Sequence, residues 1–238
     1  MSDSTAALSH LRGKFFNANE DLDILQHAYA GNQFKPVELN LRGDLVGKVI
    51  DVLLHDHKNI FSLLALLEKQ VKHFVAGEFA NYQILTDIMH YFVNQPDIYH
   101  HPHEDIIFAA LKQKNINVAD LIDEITTEHQ SMAAASATIY DELIQIQGNA
   151  IFPRDEIVLR LTDFISRYHA HIAKEEEGLF ALAKTTLDDA DWGKIDAEIN
   201  HNDDPLFGKI LDGEYKELYK AILAEDTDSL RSEPTAGI

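Results

Sequence analysis

Tyr168 to Phe180 reads YHAHIAKEEEGLF, and within it His171 and Glu175 stand four residues apart. On an α-helix that spacing leaves them about 40° apart around the axis. Ile157, Leu161, Phe164, Tyr168, Gly178 and Leu182 recur at steps of three and four along the same stretch, so His171 and Glu175 share the face expected to be buried. A carboxylate buried beside an imidazole without partners costs several kcal/mol. A metal ion removes that penalty by taking both groups as ligands, and the remaining sequence can be searched for a matching set.

Three further helices are predicted. The first runs from Asp44 to about Ala76 with Gly77 as its stop. Its seam of Val46, Ile50, Leu53, Ile60, Leu64, Leu67 and Val71 is interrupted by His57 where an aliphatic residue is expected. His55, two residues away, falls on the opposite side. The second covers about Asn81 to Val93, is interrupted by Pro96 and Pro102, and resumes in YHHPHEDIIFAAL. There Glu104, Ile107, Phe108 and Leu111 share a face, and either His100 or His101 can join it. His100 is preferred, because His100–Glu104 repeats the HxxxE spacing of His171–Glu175. The third runs from about Ala119 to Gln147, ends at Gly148, and places His129 in a seam of Ile122, Ile125, Met132, Ser136, Ile139 and Leu143. The fourth, opened by Pro153 and Asp155, contains the starting stretch and ends near Thr185.

The flanks carry less chemistry. Residues 1–43 read as a polar lead-in, a short helix from Glu20 to Gly31 and a connector punctuated by Pro36 and Gly43. Residues 188–238 read as a helix containing Trp192, the turn HNDDPLFG, a last helix near Glu214 to Leu223 and a frayed tail after Asp226. His201, in that turn, is the one extra histidine that could approach the set. The expected fold is all-α, an antiparallel four-helix bundle over residues 44–187 with short additional N- and C-terminal helices.

Composition excludes several classes. With 238 residues and 45% hydrophobic content, the chain can bury one sizeable core. There is no cysteine, which rules out disulfides, iron–sulfur clusters and thiolate zinc sites. A formal charge of −20 argues against nucleic acid or an anionic membrane as partner. No apolar run approaches the roughly 20 residues of a membrane span, and no signal peptide is apparent, so a cytoplasmic location is expected.

The histidines repeat. His57 to His100 is 43 positions and His129 to His171 is 42, while Glu104 to Glu175 is 71 and His57 to His129 is 72. The chain thus holds two copies of one unit, a helix with a lone histidine followed by a helix with HxxxE. A single histidine on an apolar seam is commonly a core residue held by a hydrogen bond. Four such helices, two with a carboxylate one turn on, share no such explanation. Imidazoles and carboxylates without sulfur suit iron, manganese or zinc, and two carboxylates from opposite halves can each bridge two ions. Two histidines and two carboxylate oxygens give each ion about four protein bonds, which leaves an octahedral ion room for a solvent bridge and a small ligand.

This H…HxxxE…H…HxxxE pattern, with HHPHED, HIAKEEEGLF and the NDDPLFG turn, resembles the hemerythrin family, specifically its bacterial HHE cation-binding branch, over roughly Asp44 to Gly208. The resemblance implies a bundle holding two non-haem iron ions with an oxo or hydroxo bridge. Their ligands would be His57, His100, Glu104, His129, His171 and Glu175, with both glutamates bridging. It implies O2 binding, peroxide or NO chemistry, with a non-catalytic iron- or redox-sensing module as the alternative. Oxygen-carrying hemerythrins have a second histidine one turn after the first on the third helix. Here that position is Ala133, which leaves one ion more open, or filled by water or His201. The residues outside the match are expected to supply a partner or homodimer surface. The pair of helical ExxH motifs required by ferritin-like oxidases and the HExxH of zinc proteases are absent.

Overall fold

Apolar seams broken once per helix by a polar residue dictate a core in layers, and the computed structural model is built that way. It describes residues 45–114, 116–199, 204–209 and 211–231. The expectations for residues 1–43 and for His201 lie outside the described residues. All described elements are helical. Helix α1 is Leu45–Val75, α2 is Tyr82–Asn94, α3 is His101–Lys114, α4 is Ala119–Gln147, α5 is Arg154–Lys174, α6 is Ala181–Thr186, α7 is Asp189–Glu198 and α8 is Lys216–Arg231. The last of these continues past Asp226, where a frayed tail was expected. Among the described residues no helix is long and apolar enough to cross a membrane.

Chain punctuation explains where the helices stop. After α1, Gly77 takes φ +77, and the amides of Gly77 and Glu78 return to the carbonyls of Phe74 and His73. This is the double bond of a Schellman stop. The same motif closes α4, but the left-handed residue is Asn149 at φ 71 rather than the neighbouring Gly148. Asn81 caps α2 by accepting from the amides of Gln83 and Ile84. Asp188 and Asp191 form a reciprocal capping box at α7.

Two wide π turns join the helices at Pro96–His100, between α2 and α3, and at Glu175–Phe180, between α5 and α6. In the first, the amide of His100 reaches back five residues to Gln95 and that of His101 to Pro96. Pro102 has no amide to offer the carbonyl of Ile98, and its ring crowds that position in a regular helix. The wide turn just before it relieves both problems, so the prolines modify the helical path instead of ending it.

Packing joins α1 to α2 and α5, and α4 to α2 and α5. Two apolar clusters fill the interior. One contains Ile60, Leu64, Leu67, Leu85, Phe92, Leu161 and Phe164. The other contains Ile50, Leu53, Ile107, Phe108, Ile125, Leu179, Phe180 and Trp192. Each such side chain contributes about 1.5–3 kcal/mol when fully buried. Between the clusters lies a polar layer of histidines and glutamates, and the two clusters are met in opposite order on α1, α2–α3, α4 and α5–α6.

The C-terminal elements join these same cores. Trp192 and Ile195 of α7 enter one, and Leu206, Tyr215, Leu218 and Ile222 enter the other. In the turn before α8, Asp204 accepts from the amides of Leu206 and Phe207 and, at 2.5 Å, from the Tyr91 hydroxyl. A Cβ on Gly208 would fall 2.2 Å from the Asp204 carbonyl oxygen, so this turn requires glycine. Gly193, inside α7, has open space where its Cβ would be. Thermal unfolding should therefore respond with opposite signs. Gly208→Ala should lower the midpoint markedly, whereas Gly193→Ala should raise stability by about 0.5–1 kcal/mol through helix propensity.

Candidate metal centre

The polar layer gathers all six residues singled out by the spacing. His57 comes from α1, His100 from the first π turn, Glu104 from α3, His129 from α4, His171 from α5 and Glu175 from the second π turn. All six are buried, and both glutamates are 0% exposed. His55 is exposed, as its helical phase demands.

The two carboxylates are oriented alike. Glu104 sets Oε1 at 3.3 Å from Nε2 of both His57 and His100, and Oε2 at 3.5 Å from Nε2 of His129. Glu175 sets Oε2 at 3.5 Å from Nε2 of His57, and Oε1 at 3.1 Å from Nε2 of both His129 and His171. Each carboxylate therefore turns one oxygen to the His57 side and the other to the His129 side. Several of these close approaches are not aligned as hydrogen bonds. Nε2 of His57 and His171, both oxygens of Glu104 and Oε2 of Glu175 are buried with no hydrogen-bond partner. Leaving so many buried polar atoms unpaired is costly unless something bonded to them fills the middle.

A seventh residue, His101, completes the layer. It is buried, stacks on His129 with ring centroids 4.2 Å apart, and groups with Glu104, His129 and His171 as potential metal donors. The choice between His100 and His101 does not arise, because both face inward. They lie about 40° and 60° to either side of Glu104 on a helical wheel, within one apolar-width arc. A second group contains His57, His100 and Glu104. The histidine that Ala133 does not provide is thus matched by one on α3.

The other ring nitrogens face an outer set of carboxylates that spacing did not reveal. Nδ1 of His57 lies 2.8 Å from Glu176, and that of His171 lies 2.9 Å from Glu128. Nδ1 of His100 lies 3.3 Å from Asp56, and that of His129 lies 3.3 Å from Asp105. Each of these carboxylates is the sequence neighbour of an inner residue but serves the next helix. Asp56 of α1 meets His100, Asp105 of α3 meets His129, Glu128 of α4 meets His171, and Glu176 meets His57 of α1. The four pairs close a ring around the layer. The signal was visible as an acidic residue beside each inner one in DH, ED, EH and EE, but acidic neighbours are common in so acidic a chain. An Nδ1–H given to a carboxylate fixes the tautomer and leaves Nε2 as a free donor, which suits a metal site.

Electrostatics follow from this layout. Burial opposes a charged His57, yet its contacts with Glu104, Glu175 and Glu176 outweigh it and raise its pKa. Burial likewise opposes His100 and His129, but Glu104 with Asp56 lifts the first to about 9, and Asp105 with Glu175 lifts the second to about 10. His101 differs, since burial wins over its contact with Asp97 and its pKa is lowered. Burial and mutual repulsion push Glu104 up, and the surrounding histidines more than reverse this, so it stays below the usual carboxylate range. Glu175 is held low in the same way.

The family described as the hemerythrin HHE cation binding domain matches residues 48–183, which spans all seven inner residues. The chain belongs to that family. No curated protein and no solved structure matches it.

The metal-free chain should show a characteristic pH dependence. Raised histidines stabilise the fold fully below their unfolded value near 6.5, and lose that contribution as pH rises through about 9 to 10. The lowered glutamates contribute above about 4.5 and lose their contribution in acid. His101 acts oppositely below about 6.5, one group against three. Thermal midpoints of protein stripped by a chelator should peak between about pH 4.5 and 6.5 and decline toward pH 10. A midpoint still rising from pH 7 to pH 10 would contradict this charge layout.

Proposed function

We propose that this chain is a non-haem di-iron protein built as an antiparallel four-helix bundle, and that it binds or reacts with O2, peroxide or NO. One observation carries the reading. Glu104 and Glu175, fully buried and from opposite halves of the chain, each turn one oxygen to the His57 side and the other to the His129 side. That is the disposition expected of carboxylates that bridge two ions. The antiparallel arrangement is supported by the reversed order of the two apolar clusters on successive helices.

In this reading His57 and His100 would hold one ion, and His101, His129 and His171 the other. His101 makes up the donor count that Ala133 reduces. Five ring nitrogens and four carboxylate oxygens would hold the pair, and this donor set would leave room for solvent and one small molecule. A reduced iron pair would supply that molecule with a binding site and electrons. The chain's own contribution is to hold the donors and keep bulk water out. Leu53, Ile60, Ile125 and Met132, all at most 2% exposed, wall the layer. The outer carboxylates keep each Nδ1 proton in place and each Nε2 free.

Elemental analysis after anaerobic iron loading tests the assignment. The parent should hold two irons per chain. Glu175→Ala should lose one or both and unfold at lower temperature, because metal binding contributes to folding. His101→Ala should weaken iron retention about tenfold or more, whereas His55→Ala should change nothing. One reproducible zinc per chain with no iron uptake would overturn the reading.

A further inference from the structure

One buried hydroxyl in this layer has no use in the scheme above. Tyr168 is 1% exposed, and no protein group accepts a hydrogen bond from its hydroxyl. Its ring packs with Phe92 at 4.8 Å and Phe164 at 4.9 Å, an environment in which phenylalanine would serve as well. Burying a hydroxyl unpaired costs on the order of 1–3 kcal/mol, so packing alone does not account for tyrosine here. On its other side the ring faces the metal-binding candidates, 6.4 Å from His101 and 6.5 Å from His171.

Asp97 supplies the second half of the observation. Among the carboxylates facing an Nδ1 of the inner histidines, it alone stands outside the ring of helix-to-helix pairs, because it lies on the same helical path as its histidine, four residues before His101. Its Oδ2 accepts from the Ser136 hydroxyl at 3.1 Å. Its Oδ1 is 3.3 Å from Nδ1 of His101 without hydrogen-bond alignment, and it too is buried without a partner. The charge of Asp97 is the foremost carboxylate influence on the Tyr168 phenol, after burial. Asp97 is 13% exposed at its side chain, so it reaches from the layer toward the surface.

We propose that Tyr168 and Asp97 together hold a small protic molecule beside His101, with Tyr168 donating to it and Asp97 accepting from it. Such an occupant must both accept and donate. Water and hydrogen peroxide meet that requirement, whereas O2 and NO only accept. The inference rests on the di-iron reading and narrows it, making peroxide the small molecule that the chain's own residues favour. Tyr168 is a positioning residue here, with no bond made or broken at its hydroxyl.

Two measurements test this. In crystals of the metal-free protein, a water should lie within hydrogen-bond distance of both Tyr168 Oη and Asp97 Oδ1, and should be lost in Tyr168→Phe. In the iron-loaded protein, Tyr168→Phe should keep both irons, slow peroxide consumption about tenfold, and leave NO affinity within about twofold, as the loss of one buried hydrogen bond predicts. Asp97→Asn should weaken peroxide handling in the same selective manner. The proposal is overturned if no water meets Tyr168 and Asp97, if Tyr168→Phe sheds iron, or if it affects peroxide and NO equally. If the parent takes up no iron pair, the di-iron reading fails instead, and the water in metal-free crystals still decides whether the Tyr168–Asp97 pocket exists.

Discussion

Two carboxylates with no exposure, set facing one another in an apolar interior, govern the rest of this molecule. Glu104 and Glu175 repel each other, and burial penalises both charges. Left alone, such a pair would take up a proton or unfold the layer. Histidines on every side lower that cost, and they are themselves buried, so they need partners of their own. The outer carboxylates meet that need at the rim of the layer, where water shares the load. Charge alternates outward from the centre: carboxylate, imidazole, carboxylate, solvent. The apolar clusters above and below leave this alternation only one direction in which to run.

The ring formed by the outer carboxylates also explains how four helices agree on one rotation. Asp56 is one residue from His57, so turning α1 by 100° would remove an inner group from the centre and an outer group from its neighbour together. The same holds for Asp105 beside Glu104, Glu128 beside His129 and Glu176 beside Glu175. Hydrophobic seams alone tolerate modest rotation, because one aliphatic residue substitutes for another at little cost. A closed ring of directional contacts does not. Each helix is held in phase by both of its neighbours, and this suits a layer whose donors must converge within a few ångströms.

Much of this was legible in the sequence, and the omissions have physical causes. Three-and-four periodicity placed α1, α2, α4 and the whole path from α5 to α6 to within a residue or two, since long amphipathic helices with Gly and Asn stops leave strong signals. The six inner residues followed from the repeat, because a polar residue on an apolar seam stands out. Spacing sets His101 against His100 as alternatives, although an inward arc is wide enough for two adjacent side chains. The π turns were invisible, since one extra residue in a turn leaves no composition mark, and Pro96 and Pro102 read as breaks. The outer ring pairs residues on different helices, and only tertiary packing reveals which acidic neighbour meets which histidine. The stop of α4 fell one residue from the expected glycine because Asn149 tolerates the left-handed conformation as well.

The two halves of the repeat are not equivalent, and the π turns are where they part. In the first half the wide turn ends on His100, ahead of Glu104, and His101 follows as a second inward imidazole. In the second half it begins at Glu175 itself, and the residue after His171 is Ile172, which joins the apolar cluster. The same unit, phased differently around one turn, thus presents two histidines in one half where the other presents one. Donors therefore divide unevenly, with His57 and His100 on one side and His101, His129 and His171 on the other. His101 also stands apart in chemistry, held neutral by burial while His57, His100 and His129 are pushed toward the charged form. On the di-iron reading proposed above, a repeated scaffold with unequal donor sets would give the two ions different surroundings without a second kind of ligand. Such inequality would leave one ion free to bind a small molecule while the protein's own donors fill the surroundings of the other.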